Sequence, residues 1–262
     1  MLPGVYCTRK KNQELYYRAS ITHMGKHISL GSFPAENDAH KAYMFAREVL
    51  SDTDKWNIEN YPSNCPLTFE KWVVLINLRD NGIYFKNPIY LRKHYFLYYV
   101  DQNLALKFDV DDLFYYARHK ILRRGGRLFV SEYGMQTGLL NRYGIRNYAV
   151  SGKDFLFING DDTDFRYSNI EIINRYHGVS KCFKKNSPIY IAKININGYY
   201  IIGRYSTEDE AAIAYNKAVN ILKNKGLNKN YPQNYIEGMD EITYAAIYQR
   251  IRISRKILEL QI

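Results

Sequence analysis

The side chains with the clearest chemical potential lie in and beside FLFINGDDTDFRYSNIEI (155–172): Asp154, Asp161, Asp162, Asp164 and the amide Asn169. Carboxylates are the right ligand class for Mg²⁺ or Mn²⁺, and a loop with four of them raises the question of metal-assisted hydrolysis. That chemistry also needs a base within hydrogen-bond reach of the attacking water. No histidine occurs between His119 and His177. A single amide oxygen at Asn169 does not hold a divalent ion that takes several oxygen ligands. Asp161-Asp162 read better as an Asx-type turn that shapes a strand-to-helix loop. The expectation is therefore no metal and no cofactor, with Mg²⁺ or Mn²⁺ as the alternative if the carboxylates form a site.

The elements around this stretch must explain its purpose. A chain of 262 residues with 46% hydrophobic content can fill two or three small cores. Its 37 Lys+Arg against 26 Asp+Glu give a net charge of +11, which favours a polyanionic partner over an acidic protein. The 26 tyrosines offer stacking faces and phosphate-reaching hydroxyls, although strand and core positions absorb most of them. Cys7, Cys65 and Cys182 contain no CxxC pair, so neither a disulfide framework nor a zinc ribbon is indicated. No apolar run reaches membrane-spanning length and MLPGVYCTRKK lacks a signal-peptide core. A cytoplasmic location without membrane contact is expected.

An internal repeat decides the architecture. GSFPAENDAHKAYMFAREVL (31–50) superposes without a gap on GRYSTEDEAAIAYNKAVNIL (203–222). Upstream, Gly4-Val5 answers Gly178-Val179 and YRASI (17–21) answers YIAKI (190–194); downstream, NYP recurs at 60–62 and 230–232. Each copy reads as three short strands and a helix. In the first, turns are expected at Lys11-Asn12 and Met24-Gly25. Small Ala39, Ala42 and Ala46 let the helix lie close on the sheet. In the second, Thr207 and Glu210 form a T-x-x-E capping box.

A three-stranded sheet backed by one helix leaves its other face bare, to meet water or a partner. With Ala19 and Ile21 turned to the helix, alternation points Arg18, Ser20 and Thr22 outward, with Tyr6 and Thr8 (and Arg9 beside them) on the first strand and His27 and Ser29 on the third. The second copy offers Ser180, Cys182, Ile191, Lys193 and Asn195, with Lys181, Lys184 and Lys185 close by. A short meander can enter the major groove, where Arg, Asn, Ser and Thr meet base edges and Lys meets phosphate. An ordinary solvated sheet face is the competing reading.

Both copies resemble the plant ethylene-response-factor DNA-binding domain, which also occurs as an accessory domain in phage and mobile-element endonucleases. The likeness rests on GVYCTR, YRASI, GKHISLGSF and DAHKAY in copy one, and on GVSKCF, YIAKI, GYYIIGRY and EAAIAY in copy two. It covers about residues 1–62 and 176–235, and it implies that the outer sheet face lies in the major groove of double-stranded DNA. Where that family carries strand-one arginines, this chain has Tyr6, Thr8, Ser180 and Cys182.

The opening stretch in turn resembles the strand–loop–helix motif of phage and intron HNH endonucleases. Ile158-Asn159-Gly160-Asp161, Asp164, Arg166 and Ser168-Asn169-Ile170 match that pattern, the last at the helix start. The family's Asp-His pair, metal ligand and general base, is replaced by Leu156 and Phe157, and a family Asn by Phe165; Asn169 is retained at a ligand position. The resemblance implies an α+β chain with two sheet-plus-helix modules flanking a degenerate ββα-metal (HNH-like) domain. The expected divisions are a module at 1–62, a linker helix at 63–80, the central domain at 81–175, the second module at 176–235 and a C-terminal helix at 236–262.

Within the centre, 83–100 reads as strand-rich and DVDDLFYYARHKILRR (109–124) as one helix, acidic at its start, basic at its end and stopped by Gly-Gly. Its Arg118, His119, Lys120, Arg123 and Arg124, with Arg127, are candidate phosphate contacts, as is Arg166; a solvated charge pattern is the alternative. TYAAIYQRIRISRKILEL (243–260) reads as a basic amphipathic helix that packs on the core, or pairs with a second copy or another protein. The function implied is sequence-specific DNA binding by occupancy, as in transcriptional regulation, by a protein that has lost catalysis. The alternatives are a divergent nickase with a rebuilt metal site and an RNA binder favoured by the tyrosines.

Overall fold

The structure, a computed structural model, describes residues 1–9, 12–132 and 134–261. Of the two hairpin turns expected in the first module, Lys11 falls outside the described residues. The chain is α+β, built on small antiparallel sheets, and divides into two compact units: 1–139 with 161–167, and 140–160 with 168–262. The divisions expected at 62, 80, 175 and 235 fall elsewhere than these. No helix among the described residues is long and apolar enough to cross a membrane.

The first unit opens with the meander β1 (Val5–Arg9), β2 (Leu15–His23) and β3 (Lys26–Phe33), backed by α1 (Glu36–Ser51). Ala39, Ala42 and Ala46 are fully buried against the sheet, as their spacing requires. Helix α2 (Phe69–Asn81), capped by Thr68 whose hydroxyl accepts from the Lys71 amide, occupies the stretch expected as a linker. Its residues Trp72–Leu78 are all buried, and α2 shares one apolar cluster with the meander and α1. A helix buried on every side belongs to a core.

There follow β4 (Ile89–Leu91), β5 (Tyr95–Asp101) and β6 (Leu104–Asp109), and then a departure from the single helix expected over 109–124. A 3-10 turn and α3 (Leu113–Arg118) end at His119, and Ile121–Arg124 form a strand, β7, paired with β8 (Arg127–Glu132), which pairs in turn with β9 (Met135–Gly138). Gly125 and Gly126 both take positive φ, at 56° and 78°. Two left-handed residues in a row make the tight turn that matches strand twist, so Gly-Gly closes a hairpin here and does not stop a helix.

The second unit contains β10 (Phe155–Phe157) paired with β11 (Ile170–Ile172), and the second meander β12 (Val179–Lys184), β13 (Ser187–Asn195) and β14 (Tyr199–Tyr205) with α4 (Glu208–Asn224) on its back. Thr207 caps α4, accepting from the Glu210 amide, while the Glu210 carboxylate takes the Ser206 hydroxyl.

The two meanders share details beyond their order. In each, the register slips by one residue at the same place, after Ala19 in the first and after Ala192 in the second. The amide that follows the slip donates to a glycine carbonyl: Ser20 to Gly4 at 3.0 Å, Lys193 to Gly178 at 2.7 Å. Both glycines have positive φ, and each sits where an added Cβ would strike the ring of the repeated helix tyrosine, Tyr43 or Tyr215. The Gly-Val and Ala-Tyr signatures of the repeat are therefore two sides of one contact.

The C-terminal segment is not one helix. It forms α5 (Glu241–Arg250) and α6 (Arg255–Leu258), separated by extended residues. Tertiary bonds override helix propensity at the break. The Lys217 ammonium on α4 takes the carbonyls of Tyr248, Gln249 and Ile251, the Ser254 amide donates to Ile202, and Ile251 and Ile257 are buried in the α4 core. Lys217→Met, which keeps the stem and removes three charge-assisted bonds, is expected to cost about 2–3 kcal/mol and to raise hydrogen exchange first at the end of α5.

Candidate nucleic-acid interface

On the first sheet, cross-strand pairing places Tyr6 opposite Arg18, Thr8 opposite Tyr16, Thr22 opposite His27 and Ser20 opposite Ser29, all on the face turned from α1. Arg18 donates to the Tyr16 hydroxyl at 2.9 Å and lies over that ring, which holds the guanidinium in place. Thr22 Oγ1 and His27 Nδ1 are 3.4 Å apart. Two assignments change. Ser20 is only 7% exposed, so it supports the face without being open to a partner. Arg9 pairs with Leu15, on the side that carries Val5 and Ala19, and so lies on the opposite side from Tyr6 and Thr8.

On the second sheet, Ser180, Cys182 and Lys184 share the outer face with Ile191, Lys193 and Asn195. Lys181 pairs with Tyr190 on the helix side, its ammonium 5.6 Å from the centre of the Phe183 ring, and Lys185 sits in the hairpin turn with φ 49°. This face is not bare. Residues 144–154 and 229–232 stand beside it, leaving a cleft of about 770 Å³ to which Ser180, Lys193 and Asn195 contribute one wall.

The stretch 155–172 is divided between two tasks. Within the second unit, Phe155–Phe157 pair with Ile170–Ile172, and Asn169 is a buried linchpin: its carbonyl accepts from the Ile158 amide and its side-chain oxygen from the Asn159 amide, both at 2.8 Å. The helix start expected at Ser168-Asn169-Ile170 is one 3-10 turn that runs straight into β11.

Within the first unit, residues 161–167 lie along the edge of β6. The Lys107 amide donates to Thr163, the Phe165 amide to Lys107, and the Tyr167 amide to the Asp109 carboxylate. Phe165 is buried, stacked on Phe108 with ring centres 5.5 Å apart. Asp164 is fully buried and accepts from Arg166 at 2.9 and 2.6 Å, with Lys107 at 3.5 Å. Burial pushes this carboxyl up, and the Arg166 hydrogen bonds with the Lys107 charge outweigh it, holding the group below the ordinary aspartate value. Arg166, expected to grip a phosphate, is thus bound to its own loop.

The Asx turn forms at Asp161, whose carboxylate takes the Thr163 amide and hydroxyl. Asp161, Asp164 and Asn169 thus spend side-chain oxygens on hydrogen bonds within the loop. Among the described residues no group of three His, Cys, Asp or Glu side chains is placed to hold a metal.

The basic cluster near 118–127 is spread over α3, β7, β8 and the residues between them. Lys120 pairs with Glu70, Arg123 lies 3.6 Å from Asp101, and His119 stacks on Tyr115 near Glu132. Arg124 and Arg127 flank the hairpin turn as exposed cations. Sequence reasoning passed over the walls of the cleft in the second unit, Arg146, Tyr148 and Lys153 among them. They come from a stretch with no strand or helix period, where only proximity in the folded chain brings them together. No family model matches this chain, and no curated protein or solved structure matches it.

Proposed function

We propose that the chain is a double-stranded DNA-binding protein of phage or mobile-element type that acts by occupancy, as a regulator of transcription or a block to other machinery. One observation carries the reading: the duplicated meander, with the same bulge and the same glycine–tyrosine contact, turns Arg18, Thr22 and His27 outward in one copy and Ser180, Lys193 and Asn195 in the other. Two modest contacts on one chain add through effective concentration. The charge of +11 supplies the attraction to phosphate. The commitment of Asp161, Asp164 and Asn169 to loop hydrogen bonds favours binding over cleavage.

Binding of a labelled duplex, followed by fluorescence anisotropy, is expected to weaken steeply with salt. Each lost phosphate contact should lower the slope of log K against log[salt] by about 0.9. Lys184→Ala is expected to show that reduction, and Arg18→Ala to lose about 1–3 kcal/mol on the preferred sequence alone. Incubation with supercoiled DNA and Mg²⁺ or Mn²⁺ is expected to leave it intact. Nicking that disappears in Asp161→Ala would overturn the occupancy reading, and no duplex binding at low salt would overturn DNA recognition altogether.

A further inference from the structure

The cleft of the second unit is more than a gap beside a sheet. Five cations line it, Arg146, Lys153, Arg175, Lys193 and Lys229, against one carboxylate. That carboxylate, Asp154, is occupied by the Val150 amide and by Asn174. The Lys153 and Lys193 ammonium groups form no ion pair among the described residues, whereas Arg175 has Glu208 at 3.9 Å and Lys229 donates to the Asn195 and Ile196 carbonyls. Ile172, Tyr199 and Ile201 bring exposed apolar surface to the same cleft.

Deeper in, His177 lies between two tyrosines, 4.5 Å from Tyr148 and 5.3 Å from Tyr215 by ring centres. Tyr215 lines the cleft, is 1% exposed, and has a hydroxyl with no hydrogen-bond partner among the described residues. A buried phenol left unsatisfied costs stability, and a ligand that accepted from it would remove that cost. Burial keeps that phenol protonated, so it is available as a donor, and burial also pushes the His177 imidazole below its ordinary value, leaving the ring neutral at pH 7.

We propose that this cleft binds a single nucleotide, its phosphate held by Lys193, Arg146, Lys153 and the Tyr215 hydroxyl and its base set against Tyr199 and Ile201. Size argues against inorganic phosphate alone: the volume of about 770 Å³ is that of a site for a ring-bearing molecule. Cations interleaved with an aromatic and aliphatic face are the combination that holds unpaired nucleotides. The site goes beyond groove recognition by the sheets, since a paired nucleotide cannot present its base to a cleft wall without leaving the stack. The same chemistry is offered by a free mononucleotide and by an unpaired nucleotide within a strand.

The full chain, titrated by calorimetry with adenosine 5′-monophosphate, adenosine and inorganic phosphate, is expected to bind the nucleotide at least about tenfold more tightly than either fragment. Tyr215→Phe is expected to weaken the nucleotide about tenfold while leaving the thermal midpoint unchanged or raised, as removal of an unsatisfied hydroxyl should. Lys193→Ala, at a half-exposed position, is expected to weaken it at least as much. Displacement of the mononucleotide by a single-stranded oligonucleotide would assign the site to a strand, and failure to displace it would assign a free nucleotide; both support the site. Equal binding of all three probes, absence of nucleotide binding, or full affinity in Tyr215→Phe and Lys193→Ala would overturn it. Duplex affinity measured on the same preparation separates the two conclusions, because a chain that binds duplex and no nucleotide loses only this one.

Discussion

Phe165→Asn is expected to destabilise the first unit by about 3–5 kcal/mol. The ring is buried against Phe108, which itself packs on Tyr116 at 4.3 Å. Replacing it leaves a cavity and also puts an amide into an apolar site with no partner supplied for it. Both tryptophans, Trp56 and Trp72, lie in the first unit and touch one another, so their fluorescence follows this unit alone in a denaturant titration. The midpoint should fall with little change in slope. A variant as stable as the parent would mean that Phe165 is not the anchor its burial indicates.

Gly178→Ala carries the second large expectation. At φ +73° an alanine already costs about 1 kcal/mol. Its Cβ would also fall 2.4 Å from the Tyr215 ring and 2.6 Å from the Lys193 carbonyl oxygen. The carbonyl belongs to the central strand at its bulge and has no room to move, so the total is expected to reach about 3 kcal/mol or more. Gly4→Ala makes the same test in the first copy, where the Cβ would fall 2.1 Å from the half-buried Tyr43 ring, and a loss of at least about 2 kcal/mol is expected. Amide exchange along α4 reads the first variant and tryptophan fluorescence the second. Full stability in either variant would sink the explanation by close contact.

The duplicated modules were legible in the sequence because every local signal agreed: small residues at helix spacing, alternation in the strands, and glycines that answer one another across the copies. Side-chain direction was legible where alternation holds and failed where it needed a starting face. Arg9 and Lys181 follow the helix-side set, and Ser20, though outward, is shielded in the middle strand beside the bulge. ARHKILRRGG misled because basic residues before Gly-Gly suit both a helix end and a hairpin. The burial of Ile121, a tertiary fact, decides for the strand. In the same way Lys217, some thirty residues away, ends α5 where the sequence after Arg250 gives no stop signal of its own. The candidate cleft was invisible for a related reason: its cations are scattered from Arg146 to Lys229 and lie in no common motif.

The path of the chain through its two units has a consequence for synthesis. The backbone passes from one unit to the other after Leu139, again after Gly160 and once more after Tyr167. Residues 161–167 supply the parallel partner of Lys107 and the ring that covers Phe108. A ribosome that has finished residue 139 has therefore synthesised every strand of the first unit but not its last piece of core, and the edge of β6 goes without its partner for 28 more residues. Cleavage at the first crossing would not liberate a complete half, and a duplication or exchange of gene segments at that point would carry the same defect.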